Sequence, residues 1–270
     1  MTSAYAVSIV KRKCKLPCGH MGTLDPLASG VLPVGIDKTC RLFPYLLDKV
    51  KGYSAVFDFG YQTDTLDVTG KTIETCNNIP KIDQINKILP AFVGEIEQIP
   101  PNYSAKCING KRGYQLARAG IDFQLPPKKI VIYSLKCTAQ ISDNQFAFDI
   151  ECGGGTYIRS LCRDIGLAVG SLAVMSKLER TKSGVFDMSS GVSIEQIKNC
   201  DDISQLLVPA DSVVSFPKIV LSERQATRIL NGLFDNLGIA DGLYSVYNQQ
   251  EFWGIGQAVD GVLRVKAYVR

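Results

Sequence analysis

The sequence predicts an α+β fold, a mixed β-sheet flanked by helices and followed by a small β-rich unit. Three observations carry this expectation. Period-2 alternation of apolar and polar residues recurs at 53–59, 130–141 and 145–152. Stripes at helical spacing are interleaved with these runs, and hairpin turns rather than a regular strand–helix–strand rhythm join the strands. With 270 residues, 46% hydrophobic and 21% charged, the chain holds enough apolar material for one large domain or one and a half ordinary ones.

The first expected element is a short amphipathic helix, with Ala6, Val7, Val10 and Cys14 on one stripe and Lys11, Arg12, Lys13 and Lys15 mostly on the other face. Tyr53, Ala55, Phe57 and Phe59 alternate with Ser54, Val56 and Asp58 as a half-buried strand does. A helix is expected over 83–93, capped by Asp83, with Ile85, Ile88, Leu89 and Phe92 facing inward. Asp143-Asn144 reads as the turn of an antiparallel hairpin between 130–141 and 145–152. From about Tyr157 to Val169, Ile158, Leu161, Cys162, Ile165 and Val169 form a second stripe. Gly153-Gly154-Gly155 before it lacks the G-K-[ST] ending of a phosphate loop and reads as tight strand-to-helix turning. Ser193 to Gln196 and Ser222 to Gln225 fit the capping box, and the second of these helices stops at Asn231-Gly232. Short strands around 243–247, 252–255 and 263–268 complete the chain. The predicted organisation is a larger domain over 1–211, with a distinct segment at about 98–129, and a small unit over 216–270.

Charge and cysteine content narrow the class. Thirty Lys and Arg against 26 Asp and Glu give +4, too small a surplus to name a partner and too ordinary for a disordered tail or a supercharged nucleic-acid coat. Its distribution is uneven. Residues 98–129 hold six cations (Lys106, Lys111, Arg112, Arg118, Lys128 and Lys129) against one acid, Asp122, with Tyr103 and Tyr114 among them. Nine cysteines, an odd number spread along a long chain, read as reduced thiols in the cytoplasm. Cys14, Cys18 and His20 cluster, but no C-x-x-C pair exists and His20 is the only histidine, so no metal is expected. No apolar run approaches the roughly 20 residues a membrane helix needs, and the basic residues follow the first apolar stretch instead of preceding it, so neither a membrane segment nor a signal peptide is expected.

The densest unusual stretch is Gly19-His20-Met21-Gly22-Thr23-Leu24-Asp25-Pro26-Leu27-Ala28-Ser29-Gly30. A glycine-rich turn can bring a ligand close to the backbone and present one carboxylate, Asp25, at the mouth of a cleft. Asp-Pro also simply opens turns and helices.

This stretch resembles the G-H-x-G-x-L-D-P-x-A-x-G motif of the TruB family of tRNA pseudouridine synthases. Lys51-Gly52-Tyr53 and Gly60-Tyr61-Gln62-Thr63-Asp64-Thr65-Leu66-Asp67 are similar to the family's second motif. Ile99 to Ala105, Gly110-Lys111-Arg112 and Ala117 to Gly120 resemble its RNA-gripping insertion. Gly155-Thr156-Tyr157-Ile158-Arg159 resembles its G-T-Y-I-R motif, and Leu178-Glu179-Arg180-Thr181 its L-x-R-T segment. Five motifs in order cover residues 19–181, and the last fifty or so residues look like the small PUA-like RNA-binding domain of bacterial members.

The resemblance implies a pseudouridine-synthase core that isomerises a uridine of the tRNA T-loop, with no cofactor or metal. Asp25 would be the catalytic carboxylate, attacking the sugar or the base or helping to deprotonate the sugar. Arg159 would be the partner that keeps it ionised. Tyr53 would stack on the uracil and can share in a proton transfer, although a strand tyrosine also packs in a core. Leu178 would close the apolar side of the pocket, while Tyr157 and Arg180 line it or touch the backbone. Flipping the base out costs roughly a few kcal/mol, and His20 would fill the vacated space. Lys111, Arg112 and Arg118 would contact phosphates. The expected partner is the T-stem-loop of tRNA, with no guide RNA, and the expected state is a monomer.

The chain departs from the family at its start. Met1-Thr2-Ser3 resembles only the end of a K-P-x-G-M-T-S motif, and the lysine-proline portion and preceding strand are missing. A start upstream of Met1 is one expectation. The competing one is an RNA-binding or RNA-folding relative that lost catalysis with its N-terminal strand. A guide-dependent relative of eukaryotic and archaeal type shares the G-T-L-D-P core, but Leu27-Ala28-Ser29 and the 98–129 insertion favour the stand-alone bacterial type.

Overall fold

Phe57 stacks on Phe148 with ring centroids 4.4 Å apart, and Phe59 meets Phe146 edge-on at 5.5 Å. These two pairs lie in the sheet where the run at 53–59 meets the run at 145–152. The computed structural model describes residues 1–46, 49–104, 107, 108, 111, 112, 119, 121, 123, 125–231, 233 and 235–270.

In chain order the strands are β1 (Cys18–His20), β2 (Ser29–Gly30), β3 (Val34–Ile36), β4 (Lys51–Phe59), β5 (Tyr61–Thr63), β6 (Thr72–Thr75), β7 (Gly94–Gln98), β8 (Cys107–Ile108), β9 (Lys111–Arg112), β10 (Lys128–Gln140), β11 (Gln145–Cys152), β12 (Ala173–Ser183), β13 (Phe186–Asp187), β14 (Lys218–Leu221), β15 (Asp235–Asn236), β16 (Gly242–Asn248), β17 (Glu251–Val259) and β18 (Val262–Tyr268). The α-helices are α1 (Ser3–Cys14), α2 (Ile82–Ile88), α3 (Ile158–Ala168), α4 (Ile194–Asn199) and α5 (Glu223–Leu230). Contacts divide the chain into two units, residues 1–26, 31–49 and 183–270 in the first and 27–30 and 50–182 in the second.

The second unit is built on a sheet in the order β12-β4-β11-β10-β7, with β2 lying parallel beside β12. The hairpin of β10 and β11 is antiparallel, as the alternation and the turn at 143–144 predict, and β11 continues antiparallel onto β4 with Ile150 opposite Tyr53. Both α2 and α3 cover one face. From α3, Ile158, Leu161, Cys162 and Ile165 join Tyr53, Ala55, Phe57, Phe146, Phe148 and Leu178 in one core cluster. Burying each such aromatic or aliphatic side chain contributes about 1.5–3 kcal/mol.

The helix expected over 83–93 differs in detail. It begins at Ile82, and Lys81 rather than Asp83 stands at its cap, its N–H donating to Gln84 Oε1 at 2.8 Å. After Ile88 it tightens into a 3₁₀ turn over Leu89–Phe92. Pro90 causes this, because it lacks the N–H that an α-helix needs and restricts the residue before it. The capping boxes at Ser193 and Ser222 form as the sequence predicts.

In the first unit, α1 is capped by Thr2, whose hydroxyl accepts from the Tyr5 N–H at 3.2 Å. Its buried side is carried by Ile9 and Val10, packed with Ile197 of α4 and with Val34 and Ile36 of β3. Ile9 was not on the expected stripe, and Ala6 and Val7 are only half-buried. The C-terminal sheet runs β14-β16-β17-β18-β15. Its β14 pairs parallel with β16, and the others are antiparallel. Trp253, the only tryptophan, is 1% exposed in its core, and Ile255 and Ala267 pack on Leu42 of the 3₁₀ segment Asp37–Tyr45.

Candidate active site

The stretch from Gly19 to Gly30 begins as β1 and ends as β2, with an irregular loop between them. His20 closes β1, paired across from Val34, and its Nδ1 is buried with no hydrogen-bond partner among the described residues. Asp25 stands in the loop, half-buried. The peptide just before it is fixed from α1: the Leu24 N–H donates to Ser3 Oγ at 2.9 Å, and Ser3 Oγ donates to the Leu24 carbonyl at 3.3 Å. Ser3 is buried, so the M-T-S start of the chain reaches the residue adjacent to Asp25.

Immediately after Pro26 the chain enters the second unit. Leu27 and Ala28 pack against its core, and Ser29 and Gly30 pair with Glu179 and Arg180 of β12. Gly30 has a φ of +103°, and a Cβ there would lie 2.7 Å from the Arg180 nitrogen and closer still to its carbonyl oxygen. Only glycine allows the two backbones to approach in this way.

Within the second unit, β4 and β12 are neighbours and present Lys51, Tyr53, Leu178 and Arg180 on one face. Alternation along each strand places them there: Lys51 and Tyr53 are two apart, as are Leu178 and Arg180. Tyr53 is 8% exposed and Leu178 6%, and both belong to the same core cluster. Arg180 is 1% exposed. Burial, and then the charge of Arg180, hold the Lys51 ammonium below its usual pKa. Leu178 and Tyr53 are thus core residues as well as candidate pocket residues.

Arg159 lies in the first turn of α3, buried. Its Nη1 donates to the Thr65 carbonyl at 2.8 Å and its Nη2 to the Tyr103 carbonyl at 3.1 Å. Its Nε is 3.8 Å from Asp67 Oδ2. Asp67 is itself held by the Thr65 hydroxyl at 2.9 Å and by the Thr69 N–H at 3.0 Å. The 64–70 loop is anchored on β12, with the Met175 N–H donating to Leu66 O at 3.1 Å and the Val68 N–H to Met175 O at 3.2 Å. At its centre Leu66 is buried with a φ of +63°, a strained conformation for a branched residue.

Tyr157 occupies the cap of α3 and is gripped by Gln98, a contact that no sequence pattern announced. Lys111 and Arg112 form β9, which pairs antiparallel with β8. Arg118, with Lys106 and Tyr114, lies outside the described residues. At the other cysteine-rich point, Cys14 Sγ is 3.4 Å from Cys18 Sγ. Burial and the neighbouring thiols Cys14 and Cys40 push the Cys18 thiol up to about 12. Among the described residues no group of three or more His, Cys, Asp or Glu side chains is arranged to hold a metal ion, and no helix is long and apolar enough to cross a membrane.

Comparison with known proteins identifies the family. Residues 10–158 match the TruB family pseudouridylate synthase N-terminal domain, and residues 159–215 match the tRNA pseudouridylate synthase B C-terminal domain. The chain is 37% identical to the tRNA pseudouridine synthase B of Caulobacter vibrioides over 86% of this chain and 76% of that protein. It is also 37% identical to that of Caldanaerobacter subterraneus over 98% and 94%. Among solved structures, a Cbf5-Nop10-Gar1 complex superposes with a TM-score of 0.67 at 25% identity, covering 99% of this chain and 76% of that one.

Proposed function

The chain belongs to the TruB family of pseudouridylate synthases and is an enzyme that makes pseudouridine in tRNA; from that premise we propose that its target is a flipped-out uridine of the T-loop and that Asp25 is the catalytic carboxylate. Uridine and pseudouridine are isomers. The bond from N1 to the sugar C1′ breaks, a bond from C5 to C1′ forms, C5 loses a proton and N1 gains one. No electron or group enters from outside.

The observation that carries the assignment is the face shared by β4 and β12. Tyr53 offers an aromatic surface for the uracil, Leu178 an apolar wall, and Lys51 and the buried Arg180 positive charge beside them. Asp25 stands two residues before Leu27, which packs on the same core cluster as Tyr53 and Leu178. Arg159 is the proposed partner of the Asp25 carboxylate. Its fixed donors to Thr65 and Tyr103 and its position beside Asp67 give it one orientation for that role. Tyr157 lines the pocket, and His20 fills the space the base leaves.

The 98–129 insertion supplies phosphate contacts through Lys111, Arg112 and Arg118, and RNA of this kind is read largely by shape and unstacked bases. The T-stem-loop alone serves as the substrate, without a guide RNA. The protein acts as a monomer in the cytoplasm, as a catalytic domain over 1–211 followed by a PUA-like domain over 216–270. Similarity along nearly the whole chain to proteins named tRNA pseudouridine synthase B supports the stand-alone type.

The test is incubation with unmodified tRNA followed by nucleotide-resolution mapping of pseudouridine. A single new pseudouridine in the T-loop is expected, and modification elsewhere alone removes the T-loop assignment. Charge reversal at Lys111 and Arg112 is expected to weaken RNA binding and flatten its salt dependence.

A further inference from the structure

Gln98 ends β7 and is 1% exposed, yet its side chain is not spent on the sheet. The Tyr157 N–H donates to Gln98 Oε1 at 2.9 Å, and Gln98 Nε2 donates to the Tyr157 carbonyl at 3.1 Å. A carboxamide presents a donor and an acceptor side by side, so one side chain can satisfy both polar groups of one residue as a neighbouring strand would. That residue is the cap of α3, its backbone is extended, and its own side chain makes no capping hydrogen bond. Two more bonds run between the same segments: Arg163 Nη2 to the Ile99 carbonyl and Arg159 Nη2 to the Tyr103 carbonyl, both 3.1 Å. The stretch 98–103, which opens the insertion, is therefore tied along the first turn and a half of α3.

We propose that Gln98 is a positioning residue that fixes the start of α3, and through it the side chains of Tyr157 and Arg159, relative to the strand end from which the insertion departs. This rests on the reading of Tyr157 and Arg159 as site residues. At 1% exposure Gln98 is closed to RNA, so it acts through the Tyr157 peptide and not on the substrate. The same latch joins the segment proposed to grip RNA to the helix that carries Arg159.

Gln98→Met keeps the volume and removes both hydrogen bonds. Gln98→Glu offers a sharper probe: ionised, it accepts from the Tyr157 N–H but has no proton for the Tyr157 carbonyl, whereas protonated it again carries one donor and one acceptor. Turnover of unmodified tRNA, tRNA affinity and amide exchange at Tyr157 are measured on the full chain. For Gln98→Met, the rate at saturating tRNA is expected to fall about 10- to 100-fold, as a misplacement of about 1 Å can produce. Its KM should stay within about threefold of wild type, while Tyr157 exchange quickens and the β4 and β11 amides stay protected. For Gln98→Glu, the rate relative to wild type should recover as pH falls from about 8 to about 6, because burial raises the introduced carboxyl.

An unchanged saturating rate in Gln98→Met, or a loss with Tyr157 exchange unaltered, overturns the proposal. If Gln98→Met does not fold, the pH trend of Gln98→Glu decides, and a flat trend is the overturning result. Full turnover by Asp25→Asn removes the site reading and this proposal with it. An inactive Asp25→Asn beside a fully active Gln98→Met removes the proposal alone.

Discussion

Ser3 and Leu24 exchange two hydrogen bonds, and they do so one residue before Asp25. A hydroxyl that both accepts from and donates to one peptide fixes that peptide's orientation, so the N-terminus of α1 sets the approach to the loop that carries Asp25. Ser3→Ala removes both bonds and is expected to cost about 1–2 kcal/mol of stability. It should also lower turnover about tenfold if the loop wanders by a fraction of an ångström. Thermal unfolding and a single-turnover assay measure the two effects. A stability loss with turnover untouched would show that the loop is held by other means.

Asp67 and Arg159 form a buried ion pair in the second unit. Removing one side of such a pair leaves the other buried charge with fewer compensating groups. Asp67→Ala also strips the partners of Thr65 and Thr69. The expected loss is about 3 kcal/mol or more, read as a lower urea midpoint. Turnover per folded molecule should fall as well, because Arg159 loses one of its fixed contacts.

Lys51 carries a pH signature. Its folded pKa lies below the unfolded value of 10.5, because it is buried and sits near Arg180. Between the two values the unfolded chain binds more protons, so stability rises with pH through this window. As pH falls through the folded value the ammonium forms beside Arg180 and that stability is lost. Lys51→Met keeps the apolar stem and removes the titration. The wild-type minus mutant difference in unfolding free energy should therefore shift in favour of wild type as pH approaches 10.5. A pH-independent difference would mean that Lys51 titrates normally.

Much of the fold could be read from local pattern because its causes are local. The alternation at 53–59, the hairpin at 130–152 and the capping boxes at Ser193 and Ser222 depend on neighbours within a few residues. What escaped depends on distant partners. The two-residue β2 is too short for periodicity, and it exists because Gly30 can lie against Arg180, 150 positions away. The parallel edge strand β14 is set by pairing with β16 across an intervening helix. In the candidate site, motif resemblance singled out Asp25, Tyr53, Tyr157, Arg159, Leu178 and Arg180. It met Ser3 only as the end of the M-T-S start and did not reach Gln98 at all; both side chains bind backbone, and a serine or glutamine that holds a peptide leaves no mark in composition or spacing that tells what it does.

The central claim is that Asp25 performs the chemistry, and substitution of its carboxylate by a carboxamide tests it most directly. Asp25→Asn should abolish pseudouridine formation on an unmodified T-stem-loop while leaving RNA affinity within about threefold of wild type. Pseudouridine accumulating at the wild-type rate in Asp25→Asn would contradict the assignment outright.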